Sequence, residues 1–302
     1  MTSNHNANLI KKATLASVSV ACFLIAIKLV AFLLTNSIAL LATLIDSLLD
    51  AAASIINMIA VRHALSPADH EHRFGHGKAE ALAGLGQAAF ISGSAIFLIF
   101  EAGGRLYNPE VVSHSQAGII VMLVSILMTV GLVQYQRRVV KETSSVAVSA
   151  DSLHYLSDVL VNLFVILALV LNAQFGWVYA DPIFGLGVAC FVIYSAWQIV
   201  QQSLEHLMDK ELPDEDRQRI IHIVASNPEV RNLHDLRTRR SGQNIFIQLH
   251  LELEGSLPLK EAHRIADEVQ NQIQEAFPNS EILIHEDPDD IPEDRKETPS
   301  LL

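Results

Sequence analysis

The chain has 302 residues, of which 50% are hydrophobic and 18% are charged, and its mean hydropathy is +0.31. This hydropathy is high for a soluble globular protein, and the apolar residues are clustered, which predicts a membrane domain. The formal net charge of −12 argues against nucleic acid as a partner, because the phosphates of nucleic acids bind basic surfaces. The same negative charge suits the binding of cations.

Six apolar stretches are long enough to cross a bilayer as helices, since one span needs about 20 residues. They are predicted at Ala13–Leu34, Ile38–Val61, Ala81–Phe100, Ala117–Gln134, Val146–Leu171 and Pro182–Val200, within a membrane domain of residues 1–208. The first stretch is too long for a cleaved signal peptide and is followed at once by a second span. Cys22 and Cys190 fall inside spans, where we expect packing residues and not a disulfide or a metal pair.

The basic residues outside the spans predict how the chain is oriented. One side of the membrane would carry Lys11, Lys12, Arg62, Arg73, Lys78, Arg137, Arg138 and Lys141. The other side would carry Arg105 alone. By the positive-inside rule the first side is the cytoplasm, so both termini of this multi-pass protein are predicted to be cytoplasmic.

Residues 209–288 predict a small, acidic α+β domain behind the membrane domain. Beyond residue 208 the acidic residues outnumber the basic ones by ten, against two in the first 208 residues. The pattern predicts a helix ending before Pro228, two strands around a turn at residues 241–244, an amphipathic helix and the strand SEILIHEDP, in the order αββαβ. The tail, residues 289–302, lacks apolar residues and is predicted to be disordered.

Two pairs of polar side chains interrupt the second and fifth spans. Asp46 and Asp50 stand in DSLLD, and His154 and Asp158 in HYLSD, so the members of each pair share one helix face. Both pairs are expected near the middle of the bilayer, where an ionised side chain costs at least about 2.5–3.5 kcal/mol on insertion scales. A structural hydrogen-bond cluster is one explanation, but three carboxylates around one imidazole repel one another unless they are protonated or neutralised.

A divalent cation removes this repulsion. Three oxygens and one nitrogen at about 2.0–2.2 Å form a tetrahedral site that suits Zn²⁺ and accepts Fe²⁺ or Cd²⁺. Because empty ligands take up protons when the metal leaves, such a site can hold either a cation or protons. At the bilayer midplane it predicts a proton-coupled metal antiporter.

Three other functions compete with that of an antiporter. A membrane sensor or receptor that binds metal needs no titratable cluster at the midplane. A channel without proton exchange is disfavoured because tight binding in a pore slows flux. An enzyme is not expected, because HExxH is absent and four protein ligands leave no open position for water.

The motifs DSLLD and HYLSD resemble the paired metal motifs of the cation diffusion facilitator family. The loop PADHEHRFGHGKAE and the αββαβ domain extend the resemblance over residues 10–288, and within the family the chain is similar to bacterial efflux pumps for ferrous iron and zinc. The resemblance implies a homodimer in the bacterial inner membrane that exports metal in exchange for protons by alternating access. Its transport site would be Asp46, Asp50, His154 and Asp158.

The resemblance also implies two further metal sites and one charge pair. The loop site would be Asp69, His72 and His76; the cytoplasmic zinc site would be His234, His250, His285 and Asp287, with His263 nearby; the charge pair at the dimer would be Lys78 and Asp209. From the residues alone, a solvated polar loop and histidines on a wet sheet face remain open alternatives. His285 and Asp287 do share a strand face, being two residues apart.

Two departures from the family pattern affect the expected selectivity. Many zinc-selective relatives have histidine where this chain has Asp46, so a wider range that includes Cd²⁺ and Fe²⁺ is expected. The segment QRRVVKETS between the fourth and fifth spans lacks the histidines that other relatives carry there. Lys28 and Glu101, both within spans, could extend to the interface or pair with each other, and the sequence does not decide between these.

Overall fold

The computed structural model describes residues 2–35, 38–107, 116–177 and 179–290. These residues form two compact units, one comprising Asn6–Leu204 and the other built around residues 205–290, and each is considered by itself. The first unit consists of six long helices. They are α1 (Thr2–Thr35), α2 (Ile38–Ala64), α3 (Lys78–Tyr107), α4 (Gln116–Thr143), α5 (Val146–Phe175) and α6 (Ala180–Leu207).

All six of these helices contain segments that are long and apolar enough to cross a membrane, among the residues that the structure describes. The helices extend beyond the predicted spans because their polar ends remain helical. The clearest case is α4, which runs through Thr143, so most of QRRVVKETS is helix and not loop. Ser144, with φ of +53°, then turns the chain directly into α5.

Helix α5 is the centre of the first unit, since α2, α3 and α4 all pack against it. Its approach to α3 is close at Gly84, where a Cβ atom would lie only 2.8 Å from Cγ1 of Val146. The buried residues at one end of the bundle come from four helices, among them Ile10, Val61 and Val139. This packing brings the polar faces of α2 and α5 together.

The second unit is a three-stranded sheet with two helices. The chain runs through α7 (Asp214–Ala225), β1 (Asn232–Ser241), β2 (Asn244–Leu253), α8 (Leu259–Ala276) and β3 (Ser280–Pro288). The strand order is β1-β2-β3, with β1 antiparallel and β3 parallel to β2. Both helices pack beside the sheet, and fully buried Ile220, Leu251 and Ile265 lie in their common core.

The predicted fold class is therefore confirmed: six membrane-capable helices precede an αββαβ domain. Alternation along β2 places Ile247, Leu249 and Leu251 in the core and leaves His250 on the opposite face. Gly242, with φ of +58°, closes the tight turn between β1 and β2, a conformation that suits glycine. The predicted disordered tail lies mostly in residues 291–302, outside the described residues.

Candidate metal sites

Helices α2 and α5 bring three predicted transport ligands together. Nε2 of His154 lies 3.1 Å from Oδ1 of Asp50, and ligand atoms of Asp50, His154 and Asp158 all lie within 4.8 Å of one another. The three residues come from the facing sides of two packed helices, with His154 one turn before Asp158 on α5. His154 is 4% exposed, so its imidazole is held inside the bundle.

Asp46, the fourth predicted ligand, lies outside this close cluster. It lines the same cavity of about 430 Å³ as Asp50 and Asp158. Polar side chains of α2, α4 and α5 share the cavity wall, among them Ser47, Thr129 and Asn162. Of the four predicted ligands, Asp46, Asp50 and Asp158 line this cavity, whereas His154 is grouped closely with Asp50 and Asp158 and does not line it.

A second polar network lies one turn before His154 on α5, and the sequence did not indicate it. Oδ2 of buried Asp151 accepts hydrogen bonds from Ser17 Oγ at 2.5 Å and from Gln136 Nε2 at 2.7 Å. These residues join α1, α4 and α5 in the bundle interior. Tyr155 adds a hydroxyl contact with Ser54 on α2, with the two oxygens 2.8 Å apart. The network fixes the helix that carries His154 and Asp158.

The loop between α2 and α3 folds around Asp69. Oδ1 of Asp69 accepts the backbone N–H groups of Glu71 and His72 at 3.0 and 2.6 Å. The imidazoles of His72 and His76 lie 3.2 and 3.3 Å from the two carboxylate oxygens, and the three residues form a group that could hold one ion. Hydrogen bonding, above all from the His72 N–H, holds the pKa of the Asp69 carboxyl below its usual value.

In the C-terminal domain the three strands converge on Asp287. Its Oδ2 lies 2.8 Å from Nδ1 of His250 and 3.3 Å from Nε2 of His234, and its Oδ1 lies 3.1 Å from Nε2 of His285. His234 is opposite His250 in the register of β1 and β2, and His250 is opposite His285 in that of β2 and β3. The predicted ligands therefore form one row across the sheet.

Two residues of the C-terminal domain add detail to the predicted site. Oε1 of Glu252 lies 3.4 Å from Nδ1 of His234, which gives the second ring nitrogen of that histidine a carboxylate partner, as metal-binding histidines commonly have. His263 is well exposed on α8 and lies 3.5 Å from Asp267 and 3.9 Å from Glu286, outside the group of His234, His250 and Asp287.

The separations of the donor atoms fit a small divalent cation. Two ligands at about 2.1 Å from a tetrahedral ion lie about 3.4 Å apart. The closest imidazole–carboxylate contacts in the three groups run from 2.8 to 3.3 Å, and the ligand atoms of each triad lie within 4.8 Å of one another. Imidazole and carboxylate donors without sulfur suit Zn²⁺ and also Fe²⁺. Each of the three groups could therefore hold such an ion.

The structure also gives contacts for Glu101, Lys28 and Asp209. Nε of Arg105 donates to Oε1 of Glu101 at 3.1 Å, whereas Lys28 binds Ser47 and does not pair with Glu101. Asp209 lies 3.3 Å from Arg239 within the C-terminal unit. Its predicted pairing with Lys78 joins the two units and stays a prediction.

Two family matches cover nearly the whole chain. Residues 14–208 match the cation efflux transmembrane domain, and residues 212–289 match the cytoplasmic domain of cation efflux proteins. The chain therefore belongs to the cation diffusion facilitator family, as the motifs indicated. It is a cation efflux transporter with a cytoplasmic dimerisation domain, and its family is one of transporters and not of enzymes.

Individual relatives agree over the same length. The chain is 49% identical to the cation-efflux pump FieF of Shewanella oneidensis over 279 residues, which is 92% of this chain and 94% of that one. It is 48% identical to FieF of Escherichia coli O127:H6 over 280 residues, 93% of each chain. A solved structure of CzrB covers 26% of this chain and 98% of its own, at 36% identity and a TM-score of 0.25.

Proposed function

We propose that this protein is a proton-coupled antiporter that exports divalent metal cations, Zn²⁺ and also Fe²⁺ or Cd²⁺, by alternating access. The observation that carries the proposal is the group of Asp50, His154 and Asp158 inside the helical bundle, with Asp46 on the same cavity. Carboxylates and an imidazole that converge inside membrane-capable helices are costly without a cation or protons to neutralise them. A site that alternates between these two occupants is what exchange requires.

Each ligand has a definite role in this proposal. Asp50 and Asp158 supply carboxylate oxygens from two different helices, so a relative movement of α2 and α5 changes the site. His154 supplies a nitrogen ligand and, beside Asp50, a position at which a proton can be held once the metal has left. Asp46 supplies the fourth donor after a small movement into the group, since its carboxylate already lines the cavity.

The wider assembly is part of the same proposal. The protein would act as a homodimer in the bacterial inner membrane with both termini in the cytoplasm; the dimerisation domain and the positive-inside pattern support this. Zinc held by His234, His250, His285 and Asp287 would stabilise the cytoplasmic domain or sense cytosolic metal. Metal at Asp69, His72 and His76 would order the loop beside the membrane domain.

The experiment that tests the proposal is zinc flux into liposomes that contain the purified protein, with a zinc indicator and a pH dye trapped inside. The wild type should admit zinc while protons leave, and Asp158→Ala should lose both signals. Glu142→Ala is the matched control, because Glu142 is an exposed carboxylate of the same domain, near the end of α4, and lies outside both the metal group and the cavity.

Each of the other outcomes would indicate a different function for this protein. Zinc entry without proton movement would indicate a channel or uniporter. Zinc binding without entry would indicate a receptor. Undiminished exchange by Asp158→Ala would remove the transport site from the group between α2 and α5.

A further inference from the structure

Lys28 places an ammonium group within the membrane domain, on α1. Its Nζ donates to Oγ of Ser47 at 2.6 Å and to the backbone oxygen of Thr43 at 3.2 Å, both on α2. Thr43 and Ser47 stand on either side of Asp46 in the chain, so Lys28 is anchored next to the helix segment that carries this carboxylate. A lysine inside a span is costly, and such residues commonly have a functional role.

The ammonium faces the carboxylates of the candidate transport site. Lys28 lines the same cavity of about 430 Å³ as Asp46, Asp50 and Asp158. It interacts electrostatically with all three of these groups. Because two hydrogen bonds hold the ammonium on α2, its position in the site is fixed, unlike that of a mobile counterion.

The charges on this cavity have a simple balance. Arg105 also lines the cavity, but its guanidinium is paired with Glu101, so these two side chains contribute no net charge. As a metal ligand His154 is neutral. Three carboxylates and one ammonium then leave two negative charges, which a single divalent cation cancels.

We propose that Lys28 is a specificity-determining residue whose fixed ammonium matches the charge of the transport site to one divalent cation and keeps binding weak enough for release. This inference rests on the transport function and on the transport site proposed above. With a neutral residue at this position, the bound cation would face one unbalanced negative charge. It would then be held more tightly and released more slowly.

Lys28→Gln tests this inference, because the amide keeps a hydrogen-bond donor for Ser47 and removes the charge. Zinc uptake into proteoliposomes, measured over a series of zinc concentrations, gives KM and the maximal rate. Lys28→Gln should lower KM by about tenfold or more and also lower the maximal rate, because the loss of a unit charge from the wall of the same cavity has at least this effect at an effective dielectric constant of about 20. Lys28→Arg keeps the charge and should retain the wild-type KM.

A merely structural role would depend on the hydrogen bond and not on the charge. Ser47→Ala removes the hydrogen bond and keeps the charge, so if Lys28 only joined α1 to α2, Ser47→Ala would raise KM and Lys28→Gln would leave KM unchanged. An unchanged or raised KM in Lys28→Gln overturns the proposal, and so does a lowered KM in Lys28→Arg. If Lys28→Gln does not insert, Lys28→Met removes both the charge and the donor, and Ser47→Ala, which lacks only the hydrogen bond, is its control.

Asp50→Ala, measured in the same series, separates this inference from the proposed function. Zinc transport that survives in Asp50→Ala overturns the transport site itself, whatever the Lys28 variants do. Loss of transport in Asp50→Ala together with an unchanged KM in Lys28→Gln overturns only the role of Lys28.

Discussion

Nε2 of His154 lies 3.1 Å from Oδ1 of Asp50, and this contact joins the polar face of the fifth helix to that of the second. Each residue belongs to a motif in which two polar side chains stand four positions apart. Because of this contact, the two motifs contribute side chains to one group. A change to either residue should therefore alter the whole group.

Asp50→Asn should reduce zinc transport by more than about 100-fold, which is the upper end of the loss seen when only a partner of a metal ligand is removed. The amide has nearly the same shape as the carboxylate but lacks its charge, so packing between α2 and α5 should survive. Initial rates of zinc uptake into proteoliposomes provide the measurement. Retention of more than a small fraction of the wild-type rate would show that Asp50 is not a ligand of the transported ion.

Asp46→His should shift transport toward Zn²⁺ and away from Cd²⁺ and Fe²⁺. The longer imidazole can reach from the cavity wall toward the group of Asp50, His154 and Asp158, and it replaces an oxygen donor by a nitrogen donor. Competition of Cd²⁺ against zinc uptake measures the change. An unaltered ratio between the two metals would contradict the view that Asp46 sets the selectivity.

Asp287→Ala should remove metal from the cytoplasmic domain more completely than His285→Ala. The carboxylate of Asp287 contacts His234, His250 and His285, whereas His285 is largely exposed and contacts the group from its edge. Bound zinc per chain, measured on the full-length protein, compares the two variants. Transport should continue in both, because their site is separate from the membrane group. Equal metal content in Asp287→Ala and the wild type would refute the assignment.

Gln136→Leu should destabilise the membrane domain by about 1–3 kcal/mol, because the buried carboxylate of Asp151 loses a hydrogen-bond donor. Ser203→Ala is the control: Ser203 is also fully buried, but its hydroxyl makes no hydrogen bond within the described part of the chain. Thermal unfolding in detergent should separate the two variants. Equal unfolding temperatures would show that the network around Asp151 adds nothing to stability.

The loop around Asp69 should keep its conformation in mildly acidic solution. Because hydrogen bonds lower the pKa of the Asp69 carboxyl, its stabilising effect is present above the ordinary value of about 3.9 and is lost only as the pH falls through the lowered value. The amide nitrogen shift of His72 reports this step by NMR. If the wild type shows a transition of this shift above pH 4 that Asp69→Asn lacks, the pKa of Asp69 is not lowered and the prediction is wrong.

The sequence predicted those parts of the site that depend on local spacing. Asp46 and Asp50, and likewise His154 and Asp158, share helix faces because of their four-residue separation, and the αββαβ order followed from alternation and turn residues. Contacts between distant helices have no such local signal. The hydrogen bond from Gln136 to Asp151 and the anchoring of Lys28 by Ser47 depend on how α1, α2, α4 and α5 pack. Glu252 beside His234 depends likewise on strand register.

The row formed by His234, His250 and His285 depends on both strand pairings at once. A slip of one residue in either pairing would turn one strand's histidine to the opposite face of the sheet and separate the donors. An ion bound by this row would therefore stabilise only the correctly aligned sheet. Metal binding during folding would then favour the correct register of β3, which follows α8 in the chain, against the neighbouring strands β1 and β2.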